Sequence, residues 1–160
     1  MPLASCVYKL NGQQVSTLTC DGREFAAFSG NGDDVNDPAA VAHVDSGPLP
    51  PGRYYIVDRT SGGRLGWLWD LGARLSSGTG RHHWFALYRV DGKIDDVTYI
   101  EGVKRGQFRL HPVGSGRISK GCITLVSHGA FEELSAYLRR FDPALIPGTN
   151  VRSYGEIEVL

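Results

Sequence analysis

Apolar positions in this chain come in short runs, cut apart by 21 glycines and 8 prolines. That pattern predicts a mainly β domain. Residues 7–10 and 14–19 flank Asn11-Gly12, a strong short hairpin signal. Asp21-Gly22 offers a second tight turn into a strand over 24–29. A polar loop rich in Gly, Asn and Asp follows over 30–37. Gly47-Pro48-Leu49-Pro50-Pro51-Gly52 reads as a rigid turn before a strand over 53–59. Its prolines remove donors, so that piece cannot itself be a central strand. A Gly/Ser-rich patch over 76–80 precedes a strand-like run, 82–90, and Asp91-Gly92 marks another turn. Residues 108–110 predict a strand ending at His111, because Pro112 cannot continue a ladder. Ile118 and residues 123–126 frame a cysteine between them.

One segment has a helical period instead. Phe131, Leu134 and Leu138 fall on a single face, and Ser127 can cap the helix. Glu132 and Glu133 lie early and Arg139 and Arg140 late, as the helix dipole favours. Pro143 stops it. This helix reads as packing, not chemistry.

Composition narrows the classes. The 160 residues, 41% of them hydrophobic, suit a single domain over 1–160 with a real core. Seventeen basic residues balance seventeen acidic ones, with no basic tract, so nucleic acid is not an expected partner. Every apolar stretch falls far short of the ~18–20 residues of a membrane span. Residues 1–6 lack a basic region followed by an apolar one, so no secretory signal is expected. Three cysteines, Cys6, Cys20 and Cys122, argue against a complete disulfide framework. A Cys6–Cys20 bridge in an oxidising compartment stays open from the sequence, with Cys122 then the odd free thiol, although a two-residue turn at Asn11-Gly12 would set Cys6 opposite Thr17.

The chemistry gathers in one run, from Arg109-Leu110-His111-Pro112 to Ser119-Lys120-Gly121-Cys122-Ile123-Thr124-Leu125. A cysteine attacks as its thiolate, which is scarce at neutral pH with a free pKa of about 8.5. A histidine beside it takes the proton and stabilises the anion. Gly121 permits a tight turn that brings backbone N–H groups toward an incoming carbonyl. His111 is the candidate base and Cys122 the candidate nucleophile. His43, His82, His83 and His128 compete for the base. His128 begins the helix, where imidazolium is disfavoured. His82 and His83 are adjacent, so a strand points them to opposite faces. There is no Cys-x-x-Cys, no His-Glu-x-x-His and no phosphate loop, so no metal or organic cofactor is expected. Trp67, Trp69 and Trp84 read as core and cleft wall. Chain order excludes papain-like peptidases, whose cysteine precedes the histidine, and caspases, whose histidine lies about 50 residues upstream.

The run with upstream His111 resembles the signature of L,D-transpeptidase catalytic domains. Lys120 stands where those enzymes carry a second histidine, Thr124 where they carry arginine, and the His–Cys interval is shorter. It is more similar to the L,D-transpeptidase-like effectors of bacterial type VI secretion systems. Phe28-Ser29-Gly30-Asn31-Gly32 and Gly47-Pro48-Leu49-Pro50-Pro51-Gly52-Arg53-Tyr54-Tyr55-Ile56 also resemble that branch. The resemblance implies a curved sheet or sandwich with one main helix. It implies Cys-dependent acyl transfer on peptidoglycan tetrapeptide stems, removing or exchanging the D-alanine after meso-diaminopimelate. It further implies an antibacterial toxin made in the cytoplasm and acting in the periplasm of target bacteria, with a cognate immunity protein and a secretion-system carrier.

Ser119 is a candidate for orienting the loop or His111, and a main-chain carbonyl near His111 or Pro112 for fixing the imidazole tautomer. Arg109, Arg117 and Lys120 are candidates for binding a substrate carboxylate; a solvated surface charge is an equal reading for each. Residues 30–46 and 76–83 are candidate lids. Two other readings stand beside this one: a Cys–His amidase or endopeptidase on another peptidoglycan bond, and a non-catalytic peptidoglycan-binding module.

Overall fold

A computed structural model describes residues 3–58, 84–90, 97–100, 102–113 and 121–160. The expected β class holds. Among the described residues the strands are β1 (Ala4–Tyr8), β2 (Ser16–Cys20), β3 (Arg23–Phe28), β4 (Gly52–Asp58), β5 (Phe85–Arg89), β6 (Val97–Ile100), β7 (Val103–Gly106), β8 (Arg109–Pro112), β9 (Ile123–Leu125), β10 (Ala144–Leu145) and β11 (Arg152–Val159), with helix α1 (His128–Leu138) between β9 and β10. The main sheet runs β1-β2-β3-β9-β8-β5-β4-β11-β10. It is not left open. β1 also pairs in parallel with β11, from Ala4 opposite Gly155 to Tyr8 opposite Val159, so the sheet closes on itself. Closure removes the bare edges that an open sheet presents to other chains. β6 and β7 form a separate hairpin.

Alternation drives the closure. β1 buries Ala4, Cys6 and Tyr8 and exposes the residues between them; β2 does the same with Ser16, Leu18 and Cys20. All of these except Ser16 meet Tyr54, Ile56, Phe85, Leu87, Leu110, Ile123 and Ile157 in one core. α1 adds Phe131, Leu134 and Leu138, as its period predicts. Each such side chain contributes about 1.5–3 kcal/mol when fully buried. The Ser127 hydroxyl accepts from the Ala130 N–H at 3.2 Å and caps the helix. The helix ends one residue before Arg139, which ion-pairs with Asp58 at the end of β4.

Two expectations are corrected. The first hairpin does not turn on Asn11-Gly12 alone. Residues 9–15 connect the strands, with the Asn11 side chain accepting from Gln13 N and donating to Val15 O. The longer loop shifts the register and sets Cys6 opposite Cys20, where the two form a disulfide. Second, β8 runs through Pro112, which pairs in register with Leu125 of β9. Pairing with β5 stops at Leu110, so the missing Pro112 N–H interrupts no ladder there. The prolines at 48, 50 and 51 do stay outside the ladder, before β4. Asp21-Gly22 makes the predicted tight turn, with φ of 49° and 85°. The turn at Asp91-Gly92 and the patch over 76–80 lie outside the described residues.

The segment between β3 and β4 is tied down internally. Asn36, buried, accepts from the Tyr8 hydroxyl and from Ser29 N at 3.0 Å, and donates to Gln13 O at 2.8 Å. The Ser29 hydroxyl accepts from Leu49 N at 2.8 Å. Asp34 takes the Ser46 hydroxyl at 2.6 Å and His43 Nδ1 at 2.8 Å. These two contacts hold its carboxyl below the usual carboxylate range. The block Phe28-Ser29-Gly30-Asn31-Gly32 thus starts a braced loop.

Candidate active site

β8 and β9 are parallel neighbours at the middle of the sheet, with Leu110 opposite Ile123 and His111 opposite Thr124. Leu110 and Ile123 are both in the core, so His111 and Thr124 point to the other face. Cys122 immediately precedes Ile123, so it enters β9 at the end of the strand where Leu110 and His111 of β8 lie opposite.

His111 is held on two sides. Its Nδ1 lies 2.7 Å from the Pro112 carbonyl oxygen. A carbonyl only accepts, so Nδ1 carries the proton and Nε2 keeps the lone pair a base needs. Trp84 stacks on the ring, with centroids 4.2 Å apart and planes 18° from parallel. The register of β5 on β8 explains this: Phe85 faces Leu110, so the residue before Phe85 falls beside His111. His111 is only 7% exposed, which limits the ring to this orientation.

The competing histidines are engaged elsewhere or outside view. His128 Nε2 bonds the Val113 carbonyl at 2.8 Å, and His43 pairs with Asp34. His82 and His83 lie outside the described residues, as do Ser119, Arg117 and Lys120.

Cys122 is half-buried and outside the disulfide. Gly121 before it has φ +93°, a conformation that side chains rarely adopt. A Cβ there would come within 2.5 Å of Arg105 Nη2 and 2.9 Å of the Phe108 ring. The glycine expected from the sequence is therefore required twice, by backbone angle and by space. Arg109, a candidate for substrate binding, shares the outer face with His111 by alternation. Its Nη1 donates to the Phe108 carbonyl at 2.8 Å.

Arg105 of β7 had no sequence signal. It sits in an ordinary Val-Lys-Arg-Gly strand, and nothing in that spacing separates it from a solvated surface charge. It is 4% exposed. Nη1 donates to the Val41 carbonyl and, at 3.4 Å, to Pro48 O; Nη2 donates to Gly47 O at 3.0 Å. Burial pulls the guanidinium below its ordinary pKa, against the charges of Tyr54, Asp45 and Cys122. No group of three or more metal-ligating side chains occurs among the described residues.

The fold is a closed, barrel-like β-sheet with one helix, and His111 on β8 has its tautomer fixed by the Pro112 carbonyl. The chain belongs to the Tlde1 domain family, which matches residues 23–149 and is a family of type VI secretion effectors. Membership suggests an effector toxin. No curated protein and no solved structure matches the chain.

Proposed function

We propose that the protein is a Cys–His acyl-transfer toxin acting on peptidoglycan tetrapeptide stems, as an L,D-carboxypeptidase or L,D-transpeptidase. The observation that carries this reading is the His111 tautomer. With Nδ1–H donated to the Pro112 carbonyl, Nε2 is the nitrogen that would take the thiol proton of Cys122 in this reading. The carbonyl does the orienting that an Asp or Asn does in other triads. The substrate class rests on the resemblance around Gly121-Cys122-Ile123, and the effector family supports the toxin role alone.

His111 Nε2 takes the Cys122 proton, and the thiolate attacks the carbonyl of the L-centre of diaminopimelate. Backbone N–H groups near Gly121 and Cys122 face the oxyanion; one such donor contributes about 2.7–4 kcal/mol in a well-studied protease. The imidazolium returns its proton to the departing D-alanine nitrogen, leaving a thioester. Water, or an amine, then gives its proton to His111 and breaks the thioester, which restores the thiol. Ser119 remains a candidate for orienting the loop, and Arg109, Arg117 and Lys120 for holding a stem carboxylate. Action in the periplasm of a target cell fits the Cys6–Cys20 disulfide, since such bonds persist in oxidising compartments. A cognate immunity protein and a secretion carrier belong to the same reading.

The test is mass spectrometry of purified tetrapeptide muropeptides after digestion. Loss of one alanine, abolished by Cys122→Ala and by His111→Ala, is expected. Cleavage between other stem residues would favour an amidase or endopeptidase instead. Intact muropeptides with the wild type would leave a binding module.

A further inference from the structure

We propose that Arg105 is a positioning residue for Cys122: its buried guanidinium lies against Gly121, braces the turn before the cysteine and favours the anionic sulfur. The proposal rests on the reading of Cys122 as nucleophile.

Three observations converge on it. First, Arg105 is a buried cation that forms no salt bridge with a carboxylate among the described residues. Its acceptors are the neutral carbonyls of Val41, Gly47 and Pro48. A buried charge is costly unless something compensates it, and carbonyl dipoles do so only in part. Asp45 offsets the charge in part, and an anion forming at Cys122 adds to that compensation. Second, the guanidinium sits close against two glycines. A Cβ on Gly121 would lie 2.5 Å from Nη2; one on Gly47 would first meet the Ala40 and His43 carbonyl oxygens, at 2.2 and 2.7 Å, and then Nη1 at 3.0 Å. The two glycines come from separate motif blocks, one next to the cysteine and one in the turn before β4. The guanidinium is the piece that joins them. Third, the loop that supplies its acceptors is itself anchored, through Ser29, Asn36 and the Asp34–Ser46–His43 cluster. Arg105 is therefore fixed in place before any substrate arrives.

Charged and titratable groups reach this neighbourhood from several elements. β8 gives His111 and Arg109, β7 gives Arg105, the loop before β4 gives Asp45, and β4 gives Tyr54. Of these, His111 is the proton acceptor and Arg105 the fixed positive charge. An opposite charge within ~4–6 Å moves an ionisation by about 1–3 pH units. Arg105 acts through the sulfur and the Gly121 turn and stays buried, so it has no role in holding substrate.

The experiment follows the rate of iodoacetamide alkylation of Cys122 against pH, in the full chain, with circular dichroism to confirm folding. Wild type should show an inflection well below a free thiol. Arg105→Gln should raise the inflection by about 1–3 pH units, and Arg105→Lys, which keeps the charge, should hold it low. An unchanged inflection in folded Arg105→Gln overturns the proposal, as does an equal rise in both variants. If Arg105→Gln does not fold, Asp45→Asn decides. Asp45 has φ +70°, which asparagine tolerates, so the loop is preserved. Removing that anion leaves the Arg105 charge less offset. The inflection should fall; an unchanged or higher one overturns the proposal. Alkylation needs no peptidoglycan. A wild type that releases no D-alanine, yet has a low inflection that moves with Arg105, overturns the substrate reading alone.

Discussion

Gly121→Ala isolates the demands placed on the turn before Cys122. The alanine would have to hold φ +93°, which costs about 1–3 kcal/mol in a non-glycine residue. Its Cβ would also press on Arg105 Nη2 at 2.5 Å and on the Phe108 ring at 2.9 and 3.1 Å. Arg105 cannot swing away cheaply, because three carbonyls hold it, and Phe108 packs edge-on against Tyr54 at 5.9 Å. Overpacking of this kind adds about 1–3 kcal/mol. The total, about 2–6 kcal/mol, is a large share of a typical domain's stability. Urea unfolding measures it. At a slope of about 2 kcal/mol per molar, the midpoint falls by about 1–3 M. Gly22→Ala is the control, since Gly22 has a similar φ, +85°, with nothing within 4 Å of its Cβ position. It carries the backbone cost without the collision. Combining Gly121→Ala with Phe108→Leu should give a non-additive gain, because the smaller side chain relieves part of the overlap. Equal costs for Gly121→Ala and Gly22→Ala, within about 0.5 kcal/mol, would refute the claim that Arg105 and Phe108 fill the space beside the cysteine.

Two further outcomes follow from the sheet. Reducing the Cys6–Cys20 bond, which closes a loop with a sequence separation of 14, should lower stability by about 3 kcal/mol; matching urea midpoints with and without reductant would contradict this. Gly155→Ala should force β1 away from β11, because the new methyl would overlap the Ala4 carbonyl oxygen. Hydrogen exchange should then show amides of residues 4–8 losing protection before those of β4 and β5, and uniform loss would contradict it.

What could be read from the sequence was what depends on neighbours along the chain. The Asp21-Gly22 turn, the Ser127 cap and the Phe131–Leu134–Leu138 face are local, and they stand as expected. The Gly121 turn was legible for the same reason. Long-range pairing was not. Nothing in residues 152–159 announces that they will lie between β4 and β1, and β10, β6 and β7 are too short to leave a period. The hairpin register failed because the Asn11 side chain organises a longer loop than Asn-Gly alone implies. Arg105 failed for a different reason. A buried arginine bonded to backbone carbonyls needs no partner of recognisable type, so it leaves no pair to find.

The parallel seam between β1 and β11 sets the order in which the molecule can be made. Ala4 meets Gly155, so the closing ladder joins segments almost the whole chain apart. Closing so long a loop is entropically unfavourable, and contacts of this separation slow folding. β8, which carries His111, and β9, which follows directly on Cys122, are by contrast near neighbours in sequence. On the ribosome, that parallel pair can assemble while β1 still waits for a partner not yet synthesised. Until residues 152–159 emerge, β1 has β2 on one side and a row of open hydrogen-bonding groups on the other.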